Sequence, residues 1–107
     1  MTEVRFLFEN DILVGFHLTG HSTASADDEL GRIVCASISS AAYMAANTVT
    51  EIVGAEVLVN VDEQAGEMLL KVKSDLEMAM TTLLGFKLHM EQLSEQFTDY
   101  IKVISEV

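Results

Sequence analysis

Four side chains in this sequence are suited to nucleophilic or acid–base chemistry at neutral pH: Cys35, which is the only cysteine, and His17, His21 and His89. A thiol becomes a nucleophile when its thiolate is stabilised, and a helix N-terminus together with a nearby imidazolium supplies partial and full positive charge for that. Cys35 and His21 lie in one stretch, GHSTASADDELGRIVCASISS, from Gly20 to Ser40. The loop between them is rich in Gly, Ser and Ala and can fold back to bring imidazole against sulfur. Arg32, one turn before Cys35, adds positive potential. Read from residue types alone, a single helical cysteine is more often a small buried apolar residue, so position decides its role. His17 falls on the solvent side of a strand and His89 on the polar side of a helix. Zinc needs three or four closely spaced ligands, and His21, Cys35 and an aspartate make three only if the loop converges; no metal site and no cofactor is expected.

The elements that must position this pair follow from periodicity. Glu3 to Phe8 alternates with Val4, Phe6 and Phe8 on one face, and Ile12 to Leu18 alternates with Ile12, Val14, Phe16 and Leu18 together. Joined by Glu9-Asn10-Asp11 they predict a β-hairpin. Thr19 to Gly31 is composed of turn formers. Asp27 or Asp28 is the expected N-cap of a helix that starts at Glu29 or Arg32, runs to Val53 and stops at Gly54. Its apolar stripe is Val34, Ile38, Ala41, Ala45, Val49 and Ile52. The residues between are small, which permits close approach of a sheet or of a second copy of the helix. Glu56 to Asp62 and Glu67 to Lys73 predict a second hairpin, and Ser74-Asp75-Leu76-Glu77 reads as a capping box. The helix it opens carries Leu76, Met80, Leu83, Met90, Leu93 and Phe97 and ends near Gln96; Tyr100 to Ile104 suits a last strand.

The order β-β-α-β-β-α-β predicts an α+β fold, a mostly antiparallel sheet with two helices packed on one face. The other face would show Leu7, Leu13, Leu58, Leu69 and Ile104, too apolar to leave in water, so a homodimer is expected. The 107 residues suit a single domain, 1–107. A lone cysteine closes no internal bridge, which fits a reducing, cytoplasmic setting. No signal peptide and no membrane-spanning stretch is read from the sequence. With a net charge of −11 and only six Lys and Arg, nucleic acid is not an expected partner, whereas basic peptides are.

Gly20-His21-Ser22, followed after a polar loop by Ile33-Val34-Cys35-Ala36 and then Ser39, resembles the signature of the bacterial ribosomal-processing cysteine protease family, Prp. There a Gly-His-Ala triplet precedes Asp-Ile-Val-Cys-Ala, with a serine four residues beyond the cysteine. The likeness covers the whole chain in length and element order, and its specific part about twenty residues. It implies a cysteine endopeptidase that removes a short N-terminal extension from a large-subunit ribosomal protein, number twenty-seven. Cys35 would be the nucleophile, His21 the base and Ser39 a supporting residue on the same helix face. The basic N-terminal tail of that ribosomal protein would be the partner. Two features depart from the pattern. Arg32 stands where the family has an aspartate, and the loop is about two residues longer; Asp27 or Asp28 is expected to orient His21 instead. The competing reading is a non-catalytic acidic dimeric module that binds a basic ribosomal or assembly protein, with Cys35 as inert core.

Overall fold

The computed structural model describes residues 1–23 and 27–106; residues 24–26, inside the expected loop, lie outside that description, as does residue 107. Five strands, β1 (Thr2–Glu9), β2 (Ile12–Thr19), β3 (Val57–Asp62), β4 (Glu67–Val72) and β5 (Ile101–Glu106), form one sheet in the order β3-β4-β2-β1-β5. Three of the pairings are antiparallel and β1 with β5 is parallel. Helices α1 (Glu29–Asn47) and α2 (Leu76–Gln96) cover one face, and the element order is β-β-α-β-β-α-β.

The first hairpin turns at Asn10 and Asp11, both at positive φ, which is the backbone that a two-residue turn between right-twisted strands requires. Val4, Phe6, Phe16, Leu18, Met68, Leu70, Val72 and Ile101 point from the sheet into the core. A bulge after Leu7 pairs it with Gly15 but Phe8 with Leu13. The extra residue shifts the alternation by one. Leu13 therefore lies in the core rather than on the outer face, Val14 is buried outside the core cluster, and Ile12 is exposed.

α1 buries Val34, Ile38, Ala42, Ala45 and Ala46, as the periodicity predicts to within one position. It continues as a π-helical segment, Thr48–Val53, and stops at Gly54, whose φ of 75° suits a residue without a Cβ. The wider π turn moves the register, so Val49 stays in the core while Ile52, expected in the stripe, is 80% exposed. Contrary to the sequence reading, residues 29–53 are long and apolar enough to cross a membrane by length and composition; the buried stripe shows them packed as a core helix. α2 buries Ala79, Leu83, Phe86 and Met90. Phe86 was not in the expected stripe, yet its ring meets Phe16 at 4.5 Å and Phe6 at 5.8 Å between centroids. The capping box does not form: Asp75 precedes the helix at positive φ without a side-chain cap, and the Ser74 hydroxyl instead accepts from Glu56 N at 2.8 Å. That bond ties the start of α2 to β3.

The outer sheet face is not a bare leucine surface. Leu7, Leu69 and Ile104 are half-buried and Leu58 is 50% exposed, among Arg5, Glu3, His17, Glu67 and Lys71. Lys71 Nζ meets Glu9 at 2.6 Å and holds its carboxyl below the usual range, chiefly by hydrogen bonding. His17 lies 3.4 Å from Glu67 on this face.

Candidate active site

Asp28 fixes where α1 begins: its Oδ1 accepts from Gly31 N at 2.9 Å, so Asp28, of the two candidates, is the N-cap. Cys35 is then the seventh helical residue. The field of a helix end fades within the first turn, and inside a helix the N–H of Cys35 is committed to the carbonyl four residues back. The start of α1 therefore does little for a thiolate at this position. Arg32 is exposed on the helix and is not among the causes that move the thiol.

The strand end that carries His21 does that work instead. β2 ends at Thr19, Gly20 turns the chain at a φ of 87°, and the segment beyond crosses the side of α1. Ser22 N donates to Cys35 Sγ at 3.0 Å and the Thr23 hydroxyl stands 3.7 Å from it. Partial burial by itself would push the thiol pKa up. The donors of Thr23 and Ser22, side chain and backbone, outweigh it, and the net shift is downward. Hydrogen bonds to an anion do this because they favour its charged form.

Ser22 is only 3% exposed. Its hydroxyl bonds Thr2 Oγ1 at 2.7 Å and donates to Tyr100 O at 3.1 Å, which fixes its N–H against the sulfur. The Tyr100 hydroxyl in turn donates to Asp28 Oδ1 at 3.3 Å. Burial, followed by the charge and the hydrogen bond of Asp28, raises the Tyr100 pKa above its ordinary value.

His21 is oriented from the β3–β4 turn rather than by Asp27 or Asp28. Its Nε2 lies 3.0 Å from Gln64 O; a carbonyl only accepts, so Nε2 carries the proton and Nδ1 is left to accept one. Gly66, at a φ of 64°, lies under the ring, and a Cβ there would come within 2.9 Å of His21 Cε1. Asp27 is exposed and its carbonyl accepts from Glu29 N.

His21, Cys35 and Ser39 line one open groove of about 340 Å³, between α1 and the β3–β4 edge of the sheet. Leu18, Ile38, Ala42 and Met68 give it an apolar floor; Tyr43 and Val61 flank it, and Asp62 and Glu63 make its far rim acidic, while Glu67 at the same rim turns its carboxylate to His17 on the outer face. Both residues expected to react thus face one cavity, with Ser39 one turn beyond the sulfur. Ser22, Thr23, Gln64 and Gly66 were missed by the sequence reading. Ser22 and Thr23 carried the one available signal, small hydroxyl residues directly after the histidine. Among the described residues no group of three or more His, Cys, Asp or Glu is placed to hold a metal ion.

Residues 1–102 match the family model described as cysteine protease Prp. Solved structures share the fold. An essential ribosomal processing protease Prp from S. aureus with a substrate peptide is 17% identical, with a TM-score of 0.87 over 99% of this chain and 100% of that one. The same enzyme with a covalently linked product peptide gives 16% identity and a TM-score of 0.86 over the same shares. A protein from Streptococcus mutans is 22% identical with a TM-score of 0.81, over 99% of this chain and 96% of that one. No curated protein matches the chain by sequence.

Proposed function

We propose that this chain, which belongs to the Prp cysteine protease family, is an endopeptidase that uses Cys35 as nucleophile and His21 as general base. The observation that carries the reading is the Ser22 N–H bond to Cys35 Sγ, 3.0 Å long, made by the residue next to the histidine. A cysteine serving only as core would not be half-exposed in a groove with its thiol pKa lowered by a set of aimed donors.

In this reading His21 Nδ1 takes the thiol proton and the thiolate attacks the scissile carbonyl carbon, forming a C–S bond and an oxyanion. Collapse breaks the C–N bond, and the imidazolium gives its proton to the leaving amine. Water, deprotonated by His21, then attacks the thioester and releases the acid and the thiol. Gln64 O holds the imidazole in the required tautomer, which is the work expected of the carboxylate that Arg32 replaces. Ser39 is assigned a supporting place beside the substrate.

The substrate assigned is the flexible basic N-terminal extension of a large-subunit ribosomal protein, number twenty-seven. The acidic rim and the net charge of −11 favour a basic tail. β3 is paired on one side only, and a free strand edge beside the groove suits an extended peptide. The S. aureus structures hold a substrate peptide and a linked product peptide. A cytoplasmic homodimer belongs to the same reading. The apolar side chains left open lie mainly on the helices, Ile33 at 60% and Met44 at 68% exposed beside an inter-helix groove of about 970 Å³, so the copies are expected to meet there.

Incubation of the chain, Cys35→Ala and His21→Ala with a tail peptide tests the assignment. Cleavage by the native chain and by neither variant is expected; equal cleavage by all three ends it. A tail that is bound but never cut would favour the acidic interaction module.

A further inference from the structure

We propose that Tyr100, 65 residues beyond the nucleophile in sequence, is a positioning residue for Cys35: it grips both sides of the loop that presents the Ser22 N–H to the sulfur. Tyr100 lies in the turn between α2 and β5, where its own N–H is bonded to Phe97 O at 2.9 Å. Its carbonyl accepts the Ser22 hydroxyl at 3.1 Å and Thr2 N at 2.9 Å. Its phenol donates at 3.3 Å to Asp28 Oδ1, the oxygen that also caps α1. Ser22 closes the strand side of the loop and Asp28 the helix side. One residue from a distant turn therefore sets the spacing between the Ser22 amide and the helix that carries Cys35.

That spacing matters because an N–H···S bond weakens steeply with misalignment. The carbonyl arm survives any side chain at 100, whereas the phenol arm does not. Tyr100→Phe removes the link to Asp28 alone and is the decisive variant, whereas Ser22→Ala removes the link to Tyr100 and Thr2 together with the direct effect of its hydroxyl on the thiol, while keeping the Ser22 N–H. The titratable groups that line the groove with Cys35, namely His21, Tyr43, Asp62 and Glu63, and Glu67 with its carboxylate turned to His17, are left intact by both.

The inference rests on Cys35 as nucleophile, so its test reads the thiol without turnover. Iodoacetamide alkylation of Cys35 is followed from about pH 5 to about pH 9, with melting temperatures and tail-peptide kinetics alongside. Tyr100→Phe and Ser22→Ala are each expected to raise the alkylation midpoint by about half a unit or more, about threefold less thiolate at neutral pH. kcat falls accordingly and KM holds. Asp28→Asn keeps an oxygen that can accept from both Gly31 and Tyr100, and its midpoint stays near the native one. Midpoints that remain native in Tyr100→Phe and Ser22→Ala while melting temperatures drop would reduce Tyr100 to a structural tie and overturn the inference. If Tyr100→Phe does not fold, Asp28→Ser decides: it keeps a capping oxygen for Gly31 N but is one bond too short for the Tyr100 phenol, so its midpoint rises if the inference holds and stays native if it does not. Should the native chain leave the tail peptide uncut, the protease reading falls and the midpoint shifts still decide the positioning role.

Discussion

Thr23→Val tests the source of the low thiol pKa most directly, because it removes one hydroxyl and keeps the shape of the side chain. Burial opposes the Cys35 thiolate, and among the groups that favour it the Thr23 hydroxyl acts most strongly, ahead of the Ser22 N–H. A hydrogen bond to a charged group contributes about 1.5–3 kcal/mol. The 3.7 Å reach to sulfur and the open side of the groove argue for less, about 1 kcal/mol, which is about 0.7 pKa unit. Thiolate at neutral pH should fall about fivefold. The more basic thiolate is intrinsically more reactive, with a Brønsted slope of about 0.4–0.5 in disulfide exchange, so the net slowing is about two- to threefold and the pH midpoint is the cleaner readout. Stability follows the same sign. An acid whose folded-state pKa is lowered contributes stability above its unfolded pKa, and that contribution is lost as pH falls through the folded pKa. The melting temperature of Thr23→Val should therefore lag the native chain at alkaline pH, with this part of the gap closing in mild acid, where both thiols are protonated. An alkylation midpoint unmoved or lowered by the substitution would refute the assignment of Thr23 as the principal donor.

Two glycines give further tests. Gly66→Ala puts a Cβ at positive φ, 2.9 Å from both Gly20 O and His21 Cε1. It should destabilise by about 1–2 kcal/mol and displace the imidazole, lowering kcat about tenfold or more while the Cys35 alkylation midpoint moves little. Gly15→Ala drives a Cβ into the Leu70 carbonyl oxygen, a backbone atom of the paired strand that cannot swing aside. It should cost about 3 kcal/mol or more, a fall in melting temperature of roughly 12 °C or more by calorimetry; a loss of under about 1 kcal/mol would show that β2 and β4 can separate freely.

The hairpins, the stop at Gly54, a cap at Asp27 or Asp28 and the end of α2 at Gln96 were legible because each depends on neighbours in sequence: alternation, a left-handed stop, a short carboxylate before a helix. What failed depended on neighbours in space. The bulge that turns Leu13 inward is one residue inserted in a run that still alternates on both sides of it. Phe86 enters the core because Phe6 and Phe16 leave room for a ring. Ser74 gives up its cap because Glu56, the residue before β3, offers its N–H. Ile52 leaves the stripe at a π turn that no periodicity announces.

The placing of Cys35 and His21 on one groove was legible and its supports were not, for a physical reason. Cys35 lies too far along α1 to draw on the helix end, in a groove whose far rim, Asp62 and Glu63, is acidic. A thiolate there is opposed by partial burial, which favours the neutral thiol, and the acidic rim is not among the causes that move it. With six Lys and Arg in the whole chain, the opposition is met by short-range donors, a backbone N–H and a hydroxyl, whose aim matters more than their charge. Backbone donors leave no mark in residue type. Their aim is set by contacts such as Ser22 with Tyr100, 78 residues apart, and His21 with Gln64, 43 apart. The same acidity can thus serve binding while the Cys35 thiol stays ionisable, because the two effects act over different distances: charge attraction reaches about a Debye length, roughly 8 Å at physiological salt, and a hydrogen bond acts only at contact.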